Sequence, residues 1–238
     1  MTKRFGQPIP GAMYPTGNQR ETMTQHMTDH ANHSAAPVNL CAKRVQILKA
    51  AGEVFLGSGY AGASMSQIAQ KAGVSKGALY NHFDSKDDLF TAFFEEMSRT
   101  KLSVLKALVH DEKLDTRTAL LHMARTTIQL MLDATTIGLY RVILVDAPRF
   151  PNLADTFWHH GFGCAIHNLA SWLTRKTAEG KLNVDDAEFA AEQFLILCQT
   201  RIVQRRRMSL PVDCDSSHIE HVARLTAESF LRIYAPTP

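Results

Sequence analysis

Several features that mark whole classes of proteins are missing from this sequence of 238 residues. It holds four cysteines, none of them in a C-x-x-C pair, so neither a disulfide scaffold nor a cysteine zinc site is expected. No apolar run reaches about 18 residues, so no transmembrane helix is predicted. Lys3 and Arg4 are not followed by an apolar segment, and no secretory signal is expected. The cysteines are interpreted as free thiols of a cytoplasmic protein.

The sequence also gives little sign of catalysis. It contains no H-E-x-x-H pair of metal ligands and no Walker phosphate loop. Three histidines, at positions 159, 160 and 167, could bind a metal, and so could Asp215, His218 and His221 at helical spacing. Both sets are interpreted instead as ordinary core or surface side chains, because no complete ligand set is evident. We therefore expect no metal, no cofactor and no enzymatic activity.

Charge is distributed unevenly, although the net formal charge is only +3. Lys and Arg exceed Asp and Glu by three to two over residues 1–39 and by six to four over residues 40–88. Over residues 89–238 the two signs balance at seventeen each. This pattern is typical of a small anion-binding head on a neutral body. Residues 1–39 are rich in proline and lack an apolar period, which predicts a disordered arm.

From residue 42 onward, apolar residues recur at three- and four-residue spacing, which predicts an all-α fold. A helix of about 24 residues is expected from Lys86, long enough to join head and body. Further helices are predicted at about 137–146, 153–178, 186–205 and 216–234. The domains are accordingly a helix-turn-helix unit at residues 40–88 and a larger helical bundle at residues 89–238.

A helix-turn-helix pattern occupies residues 64–86. Two short helices are expected after Ser64 and Ser75, and Gly73 lies in the tight turn between them. The side chains expected to face the core are Val74, Leu79 and Phe83. The opposite side is small or polar, as a helix entering the major groove requires, and carries Lys76, Gly77, Ala78, Tyr80, Asn81 and His82.

This stretch resembles the DNA-binding domain of the TetR/AcrR family from about Val45 to Phe94. The most specific part is the string Leu79-Tyr-Asn-His-Phe83, followed by Asp-Ser-Lys86. The resemblance implies a ligand-responsive transcription regulator, most often a repressor that a small hydrophobic effector releases from a palindromic DNA operator. It also implies a homodimer, although an activator and an effector-free DNA-binding protein remain alternatives.

The resemblance implies DNA contacts at nine positions: Ser64, Ser66, Lys76, Gly77, Ala78, Tyr80, Asn81, His82 and Lys86. Tyr80, His82 and Lys86 are expected to bind phosphates. Three alternatives stay open, since Tyr80 could pack its ring at the helix junction, while His82 and Lys86 could simply be solvated.

The body is expected to hold the effector and to form the dimer. An aromatic set is a candidate effector pocket, although these side chains could equally fill the core; it comprises Phe150, Phe157, Trp158, Phe162 and Trp172. Dimerisation is expected through the last two helices, whose apolar faces a monomer core would explain as well. These faces carry Ala187, Ala190, Ala191, Phe194 and Cys198, and Ile219, Val222, Ala223, Phe230 and Ile233. The basic cluster of Arg201 and Arg205–Arg207 is interpreted as electrostatic capping of a helix C-terminus and not as a second DNA site.

Overall fold

The computed structural model describes residues 35–236, with side chains described from residue 41 onward. This part of the chain consists of α-helices and one π-helical turn and contains no strand, so the predicted all-α class is confirmed. Most of the predicted disordered arm, residues 1–34, lies outside the described residues.

The head begins with α1 (Ala35–Gly62), followed by α2 (Met65–Lys71) and α3 (Lys76–Tyr80). Helix α1 starts at Ala35, so residues 35–39, which were predicted to belong to the arm, are helical instead. Gly59 interrupts α1 near its end, with φ 72° and ψ 173°. That conformation is essentially restricted to glycine, so the helix turns here and leads into α2.

Helix α4 (Lys86–Val109) has the 24 residues predicted for it and belongs to both parts of the molecule. Its first half buries Leu89, Phe90 and Phe94 in the head. Its second half lies along the body and packs against α5 (Thr116–Leu132). A rigid helix of this length therefore connects the two cores directly.

The body continues with α6 (Ala134–Asp146), α7 (Pro151–Phe157), a π-helical turn (Trp158–Phe162), α8 (Gly163–Ala178), α9 (Ala187–Leu197), α10 (Val203–Arg207) and α11 (Ser216–Tyr234). The helix predicted at 153–178 is thus interrupted by a π-helical turn. The helix predicted at 186–205 is divided into α9 and α10, because the chain turns between them and Arg201 adopts φ 62°. Helix α11 has its predicted bounds.

Two apolar cores lie side by side. The head core includes Phe55, Ile68 and Leu79, and it extends into the body through Leu139 on α6 and Leu153 on α7. The body core is built mainly from α5, α8, α9 and α11. Head and body are therefore packed together rather than joined by a linker alone.

Most of the faces predicted for dimerisation lie in the body core of the same chain. Ala190 and Phe194 on α9 and Cys198 at its C-cap are at most 1% exposed, as are Val222 and Phe230 on α11. The assignment of these buried residues to a dimer interface is therefore wrong, and the alternative, a monomer core, is what the structure contains at these positions. Two residues of these sets differ: Ala187 is half-buried and Ile233 is 59% exposed.

Within residues 35–236, no single helix has both the length and the apolar composition to cross a membrane. Helices α5 and α6 satisfy that test only when taken together, and they are bent by 66° relative to each other.

Candidate DNA-binding interface

Three serines begin the helices around the predicted reading surface. Ser64 and Gln67 form a reciprocal capping box at α2, in which the Gln67 N–H donates to Ser64 Oγ and the Ser64 N–H donates to Gln67 Oε1. Ser75 Oγ accepts from the Ala78 N–H at 3.1 Å, and Ser85 Oγ accepts from the Asp88 N–H at 3.0 Å. Side-chain caps of this type fix where each helix starts.

The turn between α2 and α3 is closed by backbone hydrogen bonds. The Val74 N–H donates to the Ala69 carbonyl at 3.0 Å, and Gly73 adopts φ 64°. Gly73 is needed here because side chains other than glycine are strained in this left-handed region. Beneath the turn, Leu79 and Phe83 are at most 2% exposed, while the predicted third inward residue, Val74, is half-buried. The sequence therefore builds a helix-turn-helix as predicted.

The nine predicted DNA contacts share one property, which is that none of them is buried. Ser64, Ser66, Lys76, Gly77, Tyr80 and Asn81 are exposed, and Ala78, His82 and Lys86 are half-buried. Tyr80 is 42% exposed, and the Lys76 ammonium lies 5.9 Å from the centroid of its ring. The ring of Tyr80 is thus not packed into the head core, and the small residues Gly77 and Ala78 lie on the same short helix as Lys76.

Lys86 has an intramolecular role that the sequence did not indicate. Its ammonium donates to the carbonyl of Tyr60 at 2.8 Å and to that of Ala63 at 3.0 Å. It also lies 4.3 Å from the centroid of the Tyr60 ring. An ammonium has three N–H donors, so these contacts leave one for another acceptor. Lys86 therefore ties the start of α4 to the end of α1, and its predicted phosphate contact stays a prediction.

Tyr60 and Asp146 connect the head to the body. The Asp146 carboxylate, 6% exposed, accepts from the backbone N–H of Tyr60 at 2.7 Å and of Ala61 at 3.2 Å. The Tyr60 hydroxyl donates to Asp87, and burial together with that hydrogen bond raises the pKa of the phenol. Sequence reasoning missed this junction, because its members lie 86 residues apart.

Two further contacts support the head. The Gln46 side-chain amide donates to the Ala72 carbonyl at 2.6 Å and so holds the end of α2 to α1. The Arg44 guanidinium lies 5.3 Å from the centroid of the Phe83 ring. Arg44 is exposed beside the helix-turn-helix, which adds a cation near the predicted reading surface.

The body contains a cavity of about 90 Å³ with an almost entirely apolar wall. Its wall combines residues from α4 to α10: Phe94, Met97, Ser98, Lys101, Leu102, Leu105, Thr127, Leu130, Met131, Thr136, Leu139, Phe157, Gly161, Phe162, Ala165, Leu195 and Arg207. Five aromatic residues were predicted for a pocket, and Phe157 and Phe162 line this cavity.

The other three predicted pocket residues lie elsewhere. Phe150 packs on the Tyr60 ring with centroids 5.0 Å apart, in the junction between head and body. Trp158 is 50% exposed, and Trp172 is 1% exposed within the body core. They were grouped by their closeness in sequence, whereas the cavity wall is assembled from distant segments.

Among the described residues, no group of His, Cys, Asp and Glu is arranged to hold a metal ion. His159 contacts the Asp155 carbonyl, and His160 lies 3.2 Å from Glu95. Asp215 caps α11 by accepting from the His218 N–H at 2.7 Å. These groups therefore have ordinary structural contacts.

Two short strings coincide with fingerprints of enzymes but lie in other surroundings. Residues 57–62 match G-x-G-x-x-G, and residues 73–77 match G-x-S-x-G. The first ends α1, whereas a dinucleotide site follows a strand and opens a helix. The second spans the turn after α2 and the start of α3, whereas a hydrolase serine lies between a strand and a helix.

Two family profiles match the chain over segments that correspond to the head and the body. Residues 47–93 match the family described as bacterial regulatory proteins, tetR family. Residues 118–236 match the family described as AefR-like transcriptional repressor, C-terminal domain. The two matches fall on the helix-turn-helix and on the helical bundle.

Curated relatives match through the head. The HTH-type transcriptional activator FasR of Mycolicibacterium smegmatis is 51% identical over 53 residues, which are 22% of this chain and 24% of that protein. The HTH-type transcriptional regulator TtgR of Pseudomonas putida is 33% identical over 72 residues, 30% of this chain and 34% of that protein. The chain thus matches about a quarter to a third of the length of these relatives.

Solved structures match both parts. A structure described as a TetR-family transcriptional regulator from Mesorhizobium loti has TM-score 0.75 and 26% identity, covering 82% of this chain and 98% of its own. The flavonoid-responsive regulator FrrA has TM-score 0.68 and 28% identity, covering 83% and 100%. The curated relatives and the solved structures named above are transcriptional regulators, so the expectation that this protein is not an enzyme is confirmed. The chain belongs to the TetR family of transcriptional regulators.

Proposed function

We propose that this protein is a ligand-responsive repressor that acts in the cytoplasm and binds a palindromic operator through α3. The observation that carries the proposal is the reading surface itself. Lys76, Gly77 and Tyr80 are exposed on a short capped helix whose other side, Leu79, is buried. A helix with small and polar residues outward can approach base edges, while cations and hydroxyls bind phosphates.

The nine predicted contacts take distinct roles in this proposal. Gly77 and Ala78 lie against bases, where their size permits close approach. Lys76 reaches a guanine edge or a phosphate, and Tyr80 and His82 bind phosphates. Ser64, Ser66, Asn81 and the free donor of Lys86 complete the contacts to the backbone.

A homodimer would place two heads in successive major grooves, about 34–36 Å apart. Exposed apolar side chains on α9 and α11 support this arrangement. Phe189 and Ile196 are both 56% exposed, and they lie seven residues apart, which puts them on one face of α9. Ile233 on α11 is 59% exposed. A two-fold protein matches a palindromic site, because each half-site meets the same surface.

The cavity supports control by a small hydrophobic effector. Six of its wall residues, from Phe94 to Leu105, belong to α4, the helix that carries the head at its other end. An effector that binds better to one position of α4 shifts the population of head positions, and hence DNA affinity. The matched C-terminal family is described as repressors, and FrrA is described as flavonoid-responsive. Both descriptions favour release of a repressor by a ligand.

The test begins with DNA fragments that the wild-type protein selects from a random pool. We expect a palindrome with half-sites about one helical turn, roughly 10 base pairs, apart. Lys76→Ala should then weaken binding and reduce the slope of log K against log salt by about 1.8, because each of the two protomers loses one phosphate contact worth about 0.9. Lys113→Ala, an exposed lysine between α4 and α5, is the matched control and should leave the slope unchanged. Equal slopes for both variants would remove Lys76 from the phosphate contacts, and failure to select any DNA would refute the proposed function.

A further inference from the structure

The charged residues in the wall of the body cavity are unbalanced. Lys101 and Arg207 line it, and none of its described wall residues is acidic. The Lys101 ammonium is 2.5 Å from the Asp133 carboxylate, which also accepts from the Thr136 N–H at 3.0 Å. Lys101 is therefore neutralised by a neighbour that is itself held in place as the cap of α6.

Arg207 has no such neighbour. It forms no ion pair with a described residue, and its hydrogen bond from Nη1 goes to the neutral side chain of Gln199. Its guanidinium carbon lies 3.9 Å from the centroid of the Tyr140 ring, so an aromatic side chain covers a face of the group. Burial lowers the pKa of Arg207, but an arginine stays charged at neutral pH.

The unused part of Arg207 is its Nε edge. Nε is buried and has no hydrogen-bond acceptor among the described residues. A buried donor without an acceptor is unfavourable, especially on a charged group. Nη1, which binds Gln199, lies at the other end of the guanidinium, and neither Nε nor Nη2 donates a hydrogen bond to a described residue.

The same protein shows what this edge binds when a carboxylate is present. At Arg125, Nε donates to Glu220 Oε2 at 2.5 Å and Nη2 donates to Oε1 at 2.8 Å. This is the fork geometry in which an arginine binds a carboxylate through two parallel hydrogen bonds. Arg125 obtains its carboxylate from α11, whereas no described residue supplies one to Arg207.

We propose that the cavity binds a hydrophobic monocarboxylate whose carboxylate group is held by the Nε–Nη2 edge of Arg207. The inference rests on the proposed function, because it names the chemical class of the effector for that same cavity. Arg207 is half-buried, and a single uncompensated cation in an apolar wall favours a single negative charge joined to an apolar body, since removing a charge from water is costly without a partner.

The space beyond the charge suits an apolar tail. Leu102, Leu105 and Leu195 line the cavity and also line a second cavity of about 20 Å³ next to it. The first cavity, of about 90 Å³, and its neighbour therefore share a leucine-lined wall. A tail extending from Arg207 along this wall would fill apolar volume, which removes apolar surface from water.

The experiment measures thermal unfolding of the full chain at pH 7.5 with octanoate and phenylacetate, and with their neutral counterparts 1-octanol and 2-phenylethanol. A compound that binds the folded state raises Tm by mass action, and the concentration dependence gives Kd. We expect at least one of the acids to bind wild-type protein, and its counterpart alcohol to bind more weakly. Arg207→Gln should weaken binding of the acid by at least about tenfold and leave binding of the alcohol unchanged. Arg207→Lys keeps the charge but loses the fork, so its affinity for the acid should lie between those of wild-type protein and Arg207→Gln.

Arg205→Gln is the matched control, because Arg205 is exposed on the same short helix and does not line the cavity. It should bind the acids as wild-type protein does. The inference is overturned if neither acid binds, if the alcohols bind as tightly as the acids, or if Arg207→Gln binds the acids unchanged. The comparison of acids with alcohols on wild-type protein needs no variant, so it decides the question even if Arg207→Gln fails to fold.

Binding to selected DNA separates this inference from the proposed function. Release of DNA by the alcohols as effectively as by the acids overturns the carboxylate inference while supporting control by a hydrophobic effector. Acids that bind through Arg207 without changing DNA affinity support the carboxylate site and overturn ligand control of DNA binding.

Discussion

Head and body are both helical, but the residues that determine their functional surfaces are arranged differently along the chain. In the head, Ser64, Ser75 and Ser85 each stand directly before the helix that they cap, and the reading surface lies within the same short segment. In the body, the cavity wall runs from Phe94 to Arg207 and draws on seven α-helices and the π-helical turn. The reading surface is therefore encoded locally, while the cavity depends on the packing of the whole chain.

The largest effect is expected where the two regions meet. Asp146→Ala removes the acceptor of the buried Tyr60 N–H and of the Ala61 N–H. We expect the free energy of unfolding to fall by about 2–3 kcal/mol, because a buried donor is left without a partner. Urea unfolding measures this loss. Asp146→Asn keeps an acceptor oxygen and should lose clearly less, whereas equal losses would show that the hydrogen bonds contribute little to the junction.

A smaller effect is expected for Lys86, which belongs to the junction and to the predicted DNA contacts. Lys86→Ala removes donors to the carbonyls of Tyr60 and Ala63 and should lower the free energy of unfolding by about 1 kcal/mol. If its remaining donor binds a phosphate, the salt slope of DNA binding also falls by about 1.8, which is about 0.9 for each protomer of the proposed dimer. A loss of stability with an unchanged slope would reassign Lys86 as a purely structural residue.

The head was predictable from sequence because its signals are short-range. Gly73, the serine caps and the alternation of Leu79 and Phe83 with polar residues each act within one or two helical turns. Lys86 is the exception, since its carbonyl acceptors are 23 and 26 residues away. A lysine at the start of a helix gives no sequence signal of which distant carbonyls it will meet.

The body was predictable in its helices but not in its interior. The bounds of α11 and the cap of α9 by Asp186 follow from local signals. The division between α9 and α10 does not, because Arg201 is a non-glycine residue with positive φ. Arg207 was interpreted as electrostatic capping of a helix C-terminus, and it lies in the last turn of α10. It also lines the cavity, which no local signal indicates, because the cavity wall is assembled from distant segments.

The smallest effect is expected at the surface of the body, where Arg125 binds Glu220. The hydrogen bond from Arg125 lowers the pKa of Glu220 below its ordinary value. The pKa of Glu220 is lower in the folded state than in the unfolded state, where it is about 4.3, so the ionised carboxylate stabilises the fold at pH values above about 4.3. This contribution is lost as the pH falls through the pKa of the folded state. Since both side chains are more than a third exposed, Glu220→Gln should cost less than about 1 kcal/mol at pH 7.

Thermal unfolding of wild type and Glu220→Gln across pH 7 to pH 3 checks the sign. The difference in stability should shrink as pH falls, because protonated Glu220 no longer binds Arg125 as an ion pair. A difference that grew toward low pH would contradict the assignment.

The central claim, that α3 enters a DNA groove, is tested most directly by adding a side chain at Gly77. A Cβ at Gly77 or at Gly57 meets no atom within 4 Å, so Gly77→Leu and Gly57→Leu should both fold as the wild type does. Affinity for the selected DNA, measured by fluorescence anisotropy, should fall at least about tenfold for Gly77→Leu, because leucine blocks close approach to the bases. Gly57→Leu should bind normally. Wild-type affinity in a folded Gly77→Leu protein would contradict the account.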